Sequence, residues 1–149
     1  MIQNERSDES IQVVKVLAVH RHKIVIVRQF RRSMNEYTYE LPGGRLENGE
    51  HPKAAALREM QEETGLKCNR LTELGTFIDS ERRVAAGLYF TNDIIAEGPQ
   101  NLEPDERIEV RLVGIEEALS NVLHRRWRDP RLGVALILAR SKGYLDKRG

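Results

Sequence analysis

GRLENGEHPKAAALREMQEETGL, from Gly44 to Leu66, narrows the fold and function of this chain more than any other segment. Within it, Glu50 is followed after seven residues by a block that begins at Arg58. Pro52 is well placed to open a helix, because its missing N–H is not needed in the first turn. Gly65 is suited to end that helix, since glycine readily adopts the left-handed conformation. The stretch therefore predicts one short helix between glycines.

The predicted helix has an apolar face and an acidic face. At about 100° per residue, one face collects Ala54, Leu57, Met60 and Thr64. Positions three and four residues apart are neighbours on a helix, so three carboxylates share the opposite face. These are Glu59, Glu62 and Glu63, with the small Ala55 and Ala56 near them. The pattern predicts a concentrated negative charge with room beside it.

A cation is the simplest way to offset this charge. Like charges at helix spacing cost about 0.2–0.5 kcal/mol per exposed pair, and more when buried. Mg²⁺, with Mn²⁺ as the alternative, takes carboxylate oxygens and keeps its other positions for water and substrate phosphates. Arg58 is expected to pair with Glu50 through its fork of donors. A solvated acidic face is the alternative for an isolated E-x-x-E-E, but the complete spacing disfavours it.

The complete segment resembles the Nudix box, the signature of the Nudix hydrolase superfamily. The resemblance implies an α/β fold, specifically an α/β/α sandwich with a mixed β-sheet. It also implies Mg²⁺-dependent hydrolysis of a nucleoside diphosphate linked to another moiety. The metal ligands implied are the Gly43 carbonyl, Glu59 and Glu63, with Glu62 as a further ligand or a group behind the ligands.

The catalytic residues are also inferred from the resemblance. Glu62 and Glu63 are expected to take part through the metal, which lowers the pKa of an attacking water. A carboxylate then takes the proton of that water. In the branch described next, this base usually comes from a late loop, where the candidates are Glu103, Asp105 and Glu106. Glu106 is slightly favoured.

Residues flanking the box resemble the ADP-ribose and nucleotide-sugar pyrophosphatase branch, through Gln29-Phe30-Arg31 and Glu40-Leu41-Pro42-Gly43. Arg31 is expected to hold a phosphate or to be a surface arginine. Phe30 packs in the core, the favoured alternative, or stacks on a base. Glu40 contacts a base or a sugar hydroxyl, or pairs with an arginine. Arg58 completes the predicted substrate-binding set.

Two differences from the usual pattern of this branch leave the identity of the substrate open. The subgroup usually carries a proline about sixteen residues after the last box glycine, where this chain has Glu81. Only about ten residues precede the first predicted strand, whereas larger relatives use extra N-terminal strands for dimerisation and adenine binding. GDP-mannose or a UDP-sugar therefore stays open beside ADP-ribose. Two other classes also stay open: a nucleoside triphosphate (8-oxo-dGTP-like) or capped-RNA hydrolase, and a catalytically silent nucleotide-sugar sensor.

The rest of the chain predicts one domain. Residues 1–10 are expected to be a flexible segment and residues 11–149 a Nudix hydrolase domain. The predicted strands are Ile11–Val19, Ile24–Phe30, Thr38–Leu41, Leu71–Asp79, Val84–Asn92 (with Ile94–Ala96 as an extension) and Ile108–Val113. A helix follows at Ile115–Leu123. Asp129-Pro130 opens a last helix to about Ser141, with an apolar stripe of Leu132, Ala135, Leu136 and Ala139.

Composition limits the partners. A net charge of +1 gives no reason to expect nucleic-acid or membrane binding through bulk electrostatics. The single cysteine, Cys68, fits a reducing compartment. No signal core or membrane-length apolar run is apparent, so a cytoplasmic protein with a small-molecule substrate is expected. The basic cluster His124–Arg128 either contacts phosphate or nucleic acid, or forms a helix-end loop with Trp127 against the core, and the loop is favoured. A homodimer is also expected.

Overall fold

The computed structural model describes residues 11–146. The predicted flexible segment, residues 1–10, lies outside the described residues. The described strands are β1 Ile11–His20, β2 Lys23–Arg31, β3 Glu36–Glu40, β4 Gly43–Arg45, β5 Leu66–Cys68, β6 Thr72–Asp79, β7 Val84–Thr91, β8 Ile94–Glu97 and β9 Ile108–Gly114. The helices are α1 Pro52–Thr64, α2 Ile115–Leu123 and α3 Pro130–Ser141.

A seven-stranded mixed sheet forms the centre of the fold. Its main path runs β3-β2-β1-β7-β6, with β4 added beside β1 and β9 beside β2. The β1–β7 pair is parallel, and the other pairs are antiparallel. Strand β1 is buried on both faces, which explains why its sequence is a nearly continuous apolar run rather than an alternation.

Strands β1 and β2 pair only next to their shared turn, at Val19 with Ile24 and His20 with Lys23. Farther along β1, its edge is used by the segment that follows β3. The Val16 N–H donates to the Pro42 carbonyl at 2.9 Å, and β4 pairs with residues 13–15 of β1. The separation of β1 from β2 therefore brings Gly43 and Gly44 to the middle of the sheet.

Helices cover both faces of the sheet, so the predicted α/β/α sandwich is confirmed. On one face α1 contributes Ala55, Ala56 and Met60 to a core shared with β1. On the other face α3 packs through its predicted stripe of Leu132, Ala135, Leu136 and Ala139, all fully buried. Among residues 11–146, none of the helices combines the length and the hydropathy that a membrane span requires.

Three short strands, β4, β5 and β8, differ from the predicted elements. Ile94–Glu97 is not an extension of the preceding strand but a separate strand, β8, paired with β5 in a two-stranded sheet. The Thr91 hydroxyl accepts a hydrogen bond from the Asp93 N–H at 3.1 Å, and this local bond interrupts the strand. Strands β4 and β5 have three residues each and were not predicted, since such short segments give no readable alternation.

Candidate functional site

The ends of α1 are set by the residues expected to set them. Pro52 is the first helical residue, and the preceding His51 caps the helix by accepting from the Lys53 N–H at 3.2 Å. Gly65 ends the helix with φ 76°, and its N–H donates to the Gln61 carbonyl. A Cβ at Gly65 would overlap the Gly98 carbonyl oxygen, so this position requires glycine for two separate reasons.

The predicted faces of α1 are partly wrong. Ala55 and Ala56, placed beside the acidic face, are fully buried, whereas Ala54 is exposed. Glu63, expected on the face away from the core, is only 7% exposed. The reason is that the sheet contacts α1 along the Ala56–Met60–Glu63 line, which points one carboxylate into the protein. Periodicity alone places polar residues outside and misses such a buried acid.

Two carboxylates of α1 face the backbone of the two glycines before the helix. The Gly43 N–H donates to Glu63 Oε1 at 3.1 Å. The Glu59 carboxylate lies so close to Gly44 that a Cβ built there would overlap it. Gly44 therefore permits this close approach, and a side chain there would displace the Glu59 carboxylate. Gly43, Glu59 and Glu63, three predicted metal-site residues, are adjacent in the structure.

Arg58 organises the remaining acidic residues. It donates to both oxygens of Glu50, from Nε at 2.8 Å and from Nη2 at 2.9 Å, in the predicted fork. Its Nη1 donates to Glu59 and to Glu62, each at 3.2 Å. Nη2 also donates to the Arg45 carbonyl at 3.2 Å. Arg58 thus joins the loop before α1 to two of the candidate metal ligands.

Burial and neighbouring charge make the acidic cluster electrostatically unfavourable. The pKa of Glu63 is raised to about 7, mainly by burial. The charge of Lys15 and the hydrogen bond from Gly43 lower this pKa, while Glu59 and Glu106 raise it. The pKa of Glu59 is also raised, first by burial. A bound cation would relieve this strain by neutralising the carboxylates.

The donors present fit a hard divalent cation. Carboxylate oxygens and a backbone carbonyl are the ligands that Mg²⁺ and Mn²⁺ favour. Over residues 11–146, no three His, Cys, Asp or Glu side chains already converge as a metal site. Glu59 and Glu62 accept hydrogen bonds from Arg58, and Glu63 accepts one from the Gly43 N–H. The predicted ligand set therefore stays a prediction.

The loop after β8 is attached to the end of α1. Gln100 Nε2 donates to the Glu63 carbonyl at 2.7 Å and to the Ile108 carbonyl at 2.9 Å. The Asn101 N–H donates to the Glu62 carbonyl at 2.8 Å. Glu106 is half-buried, and its charge acts on both Glu59 and Glu63. The loop therefore brings one carboxylate beside the α1 cluster.

The three candidate bases are not equivalent in position. Glu103 and Asp105 are exposed, and only Glu106 contributes to the shifted pKa values of Glu59 and Glu63. A carboxylate oxygen of Glu106 accepts from the Glu103 N–H at 2.9 Å, so the loop itself orients it. Of the three candidates, Glu106 thus lies beside the α1 cluster, and its role as the base stays a prediction.

Glu40 is the centre of a second polar cluster. Arg31 donates to its two oxygens at 3.0 and 2.8 Å, and the Thr38 hydroxyl donates to it at 2.6 Å. Lys15 Nζ is a further donor at 3.3 Å. Burial raises the pKa of Glu40, but the Arg31 hydrogen bonds, the Lys15 charge and Thr38 outweigh it and lower the pKa to about 2. Of the predicted alternatives, Glu40 pairs with an arginine.

The other predicted substrate-binding residues are partly accessible. The Arg31 side chain is 41% exposed beside its pair with Glu40. Phe30 is 43% exposed, so the favoured prediction that it packs in the core is wrong. It lies at the end of β2, where its ring meets the exposed Tyr37 edge-on, with ring centres 5.3 Å apart. Phe30 is paired with Tyr37 of β3, the strand at the end of the sheet path, and its ring packs there on Tyr37 rather than in the core.

The basic cluster forms the predicted loop at the end of α2. Trp127 is 7% exposed and stacks on Tyr39, with ring centres 5.5 Å apart. Arg128 pairs with Glu36 at 3.1 Å, and Arg126 donates to Asn121. These contacts confirm the prediction that Trp127 lies against the core.

The raised pKa of Glu63 leads to a prediction on stability. Between pH 4.5 and about 7 the folded protein retains a proton that the unfolded chain has released, so stability falls as pH rises. Glu63→Gln removes this effect and keeps an acceptor for the Gly43 N–H. The free energy of unfolding of the variant minus that of wild type, both measured in EDTA, should therefore be larger at pH 8 than at pH 5. We expect an increase on the order of 2–3 kcal/mol. Urea unfolding of both proteins at pH 5 and pH 8 measures this change. The same difference between variant and wild type at both pH values would contradict the prediction.

Comparison with known proteins identifies the family. The sequence model of the NUDIX domain matches residues 9–134. The chain belongs to the Nudix family. It is 35% identical over 127 residues to the ADP-ribose pyrophosphatase of Bacillus subtilis (strain 168), covering 83% of this chain and 69% of that protein. It is 32% identical, with the same coverage, to the methanol dehydrogenase activator of Bacillus methanolicus.

Two further comparisons concern part of the chain and the fold. The mouse ADP-sugar pyrophosphatase is 45% identical over 64 residues, which are 42% of this chain and 29% of that protein. The crystal structure of an ADP compounds hydrolase superposes with a TM-score of 0.77, covering 89% of this chain and 73% of that one. At 21% identity it shows the Nudix fold alone. The predicted family, its ADP-ribose pyrophosphatase-like branch and the hydrolase class are confirmed.

Sequence reasoning missed two residues of this region. Lys15 is buried and acts electrostatically on Glu63, and a signal for it existed, because a lysine interrupts the apolar run of β1. The sequence around Gln100 contains no comparable indication of its role. A glutamine in a polar loop is unremarkable until the fold places its amide against two carbonyls.

Proposed function

We propose that the protein hydrolyses the diphosphate linkage of a nucleoside diphosphate sugar, releasing a nucleoside monophosphate and a sugar phosphate. The observation that carries this proposal is the approach of Glu59 and Glu63 to the Gly43–Gly44 backbone, with Glu106 beside them. The relatives named as ADP-ribose and ADP-sugar pyrophosphatases support ADP-ribose as the first candidate substrate.

The metal in this proposal is Mg²⁺, with Mn²⁺ as the alternative. The Gly43 carbonyl, Glu59 and Glu63 would hold it, with Glu62 as a further ligand or support. When bound, it would neutralise charge on the diphosphate and lower the pKa of the attacking water. Arg58 keeps Glu59 and Glu62 in place through its hydrogen bonds.

The chain's own residues supply the remaining roles. Glu106 would accept the proton of the attacking water, since its carboxylate is oriented by the loop and lies near the α1 cluster. Arg31 would bind a substrate phosphate with the exposed part of its guanidinium, while Glu40 keeps the side chain in one orientation. Phe30, exposed at the end of β2, would stack on the base.

A substrate panel with Mg²⁺ tests the proposal. ADP-ribose, GDP-mannose, UDP-glucose, dGTP and 8-oxo-dGTP are compared by kcat/KM under one condition. We expect at least one nucleoside diphosphate sugar, ADP-ribose first, to exceed both triphosphates by about tenfold or more. Faster turnover of either triphosphate than of every sugar nucleotide would reject the proposal in favour of a triphosphate hydrolase.

Two further parts of the proposal concern the protein in the cell. We propose that it acts in the cytoplasm and as a homodimer, as expected from the sequence. Light scattering on the purified protein measures the oligomeric state directly. A mass of twice 17.1 kDa would support the dimer, and a mass of 17.1 kDa would reject it.

A further inference from the structure

Lys15 is a buried charge that the proposed chemistry does not use. It lies inside β1 between apolar neighbours and is 4% exposed. Removing an ammonium group from water is unfavourable, and only good hydrogen bonds and an opposite charge offset the lost hydration. A lysine in such a place therefore requires partners built around it.

The partners of Lys15 lie at the turn that leads into the site. Its Nζ donates to the Leu41 carbonyl at 3.2 Å and to Glu40 Oε1 at 3.3 Å. In the β1–β4 register its backbone stands opposite Gly43. Lys15 Cδ lies 2.9 Å from the point where a Cβ at Gly43 would stand, so the stem of the side chain packs against that glycine. One residue thus contacts both ends of the turn 41–43.

Neutralising Glu40 does not by itself explain Lys15. Arg31 already contacts both oxygens of that carboxylate, and Thr38 supplies another donor. Lys15 also donates to the Leu41 carbonyl, whereas the hydrogen bonds of Arg31 and Thr38 go to Glu40 and to the Gln29 carbonyl. The effect of the contact with the Leu41 carbonyl is to hold the backbone that continues through Pro42 to Gly43.

We propose that Lys15 is a positioning residue that holds the turn 41–43 so that the Gly43–Gly44 backbone faces Glu63 and Glu59. The inference rests on the proposed function, because Gly43 is a ligand only if a metal binds there. Groups behind metal ligands typically change metal affinity or activity about 10–100-fold when removed. Loss of Lys15 should therefore act on the metal more than on the nucleotide.

The test compares Lys15→Met with wild type and with Glu40→Gln. We expect Lys15→Met to raise the Mg²⁺ concentration for half-maximal activity about tenfold and to lower kcat about tenfold. KM for ADP-ribose should change less than about threefold. Glu40→Gln keeps the Lys15–Leu41 contact but weakens the hold on Arg31, so it should raise KM and leave the Mg²⁺ response near wild type.

A binding readout separates this inference from the proposed function. The rise in Tm on adding Mn²⁺ without substrate is expected in wild type and should be strongly reduced in Lys15→Met. If wild type hydrolyses none of the sugar nucleotides, the proposed function fails, and the Mn²⁺ effect still decides the role of Lys15. Should Lys15→Met fold poorly, Lys15→Met/Glu40→Gln is compared with Glu40→Gln instead. A folded variant with lower Tm but wild-type Mg²⁺ and Mn²⁺ responses would overturn the inference.

Discussion

Glu63→Gln is expected to lower kcat for the preferred sugar nucleotide about a thousandfold, the largest effect of any single change we propose. Glu63 is buried, faces the Gly43 N–H and has a carboxyl pKa raised to about 7. Glutamine keeps the size of the side chain and an acceptor for Gly43, but it removes the negative charge that a cation needs. Steady-state kinetics with saturating Mg²⁺ measure the loss.

The matched control is Glu117→Gln on α2. Glu117 is exposed and lies on a helix that covers the other face of the sheet. The same chemical change there should leave kcat within about twofold of wild type. Turnover of Glu63→Gln at the wild-type rate would show that the assignment of Glu63 to the metal is wrong. If Glu63→Gln loses activity but is more stable than wild type in EDTA, the Glu63 carboxylate serves the reaction rather than the stability of the fold.

Arg58→Met should lower both activity and stability. Arg58 is the shared donor of Glu50, Glu59 and Glu62. Without it two candidate ligands lose their orientation, and kcat should fall about 10–100-fold. The free energy of unfolding should fall by about 2–3 kcal/mol, because hydrogen bonds between charged groups are lost at a part-buried site. Kinetics and urea unfolding measure the two effects.

Arg58→Lys and Arg70→Met sharpen this test. Lysine keeps the positive charge but cannot make the two parallel bonds to Glu50, so intermediate values are expected. The Arg70 side chain is 84% exposed, and its contact with Asp93 is 4.0 Å long. Removing it should change the free energy of unfolding by less than about 0.5 kcal/mol. Equal effects at positions 58 and 70 would contradict the role given to Arg58.

Much of the fold was predictable from local sequence signals. The Pro52 and Gly65 signals set both ends of α1, and Asp129-Pro130 set the start of α3. The predicted longer strands agree with the observed ones to within two residues at each end. Helix capping and strand alternation depend only on residues close together in the chain. They can therefore be recognised directly in the sequence.

The features that were not predicted correctly depend on tertiary contacts with distant parts of the chain. Burial of Glu63 follows from the face by which α1 packs on the sheet, and exposure of Phe30 follows from its pairing with β3 at the end of the sheet path. Lys15 and Glu40 are 25 residues apart in sequence and meet only because β1 and β2 separate. No local pattern contains such distances.

Product analysis with ADP-ribose tests the central claim most directly. The whole chain is incubated with Mg²⁺ or with EDTA, and the phosphorus-containing products are separated and quantified. We predict AMP and ribose 5-phosphate in equal amounts with Mg²⁺, and neither with EDTA. Absence of both products with Mg²⁺, in a sample that rapidly releases pyrophosphate from dGTP or 8-oxo-dGTP, would contradict it.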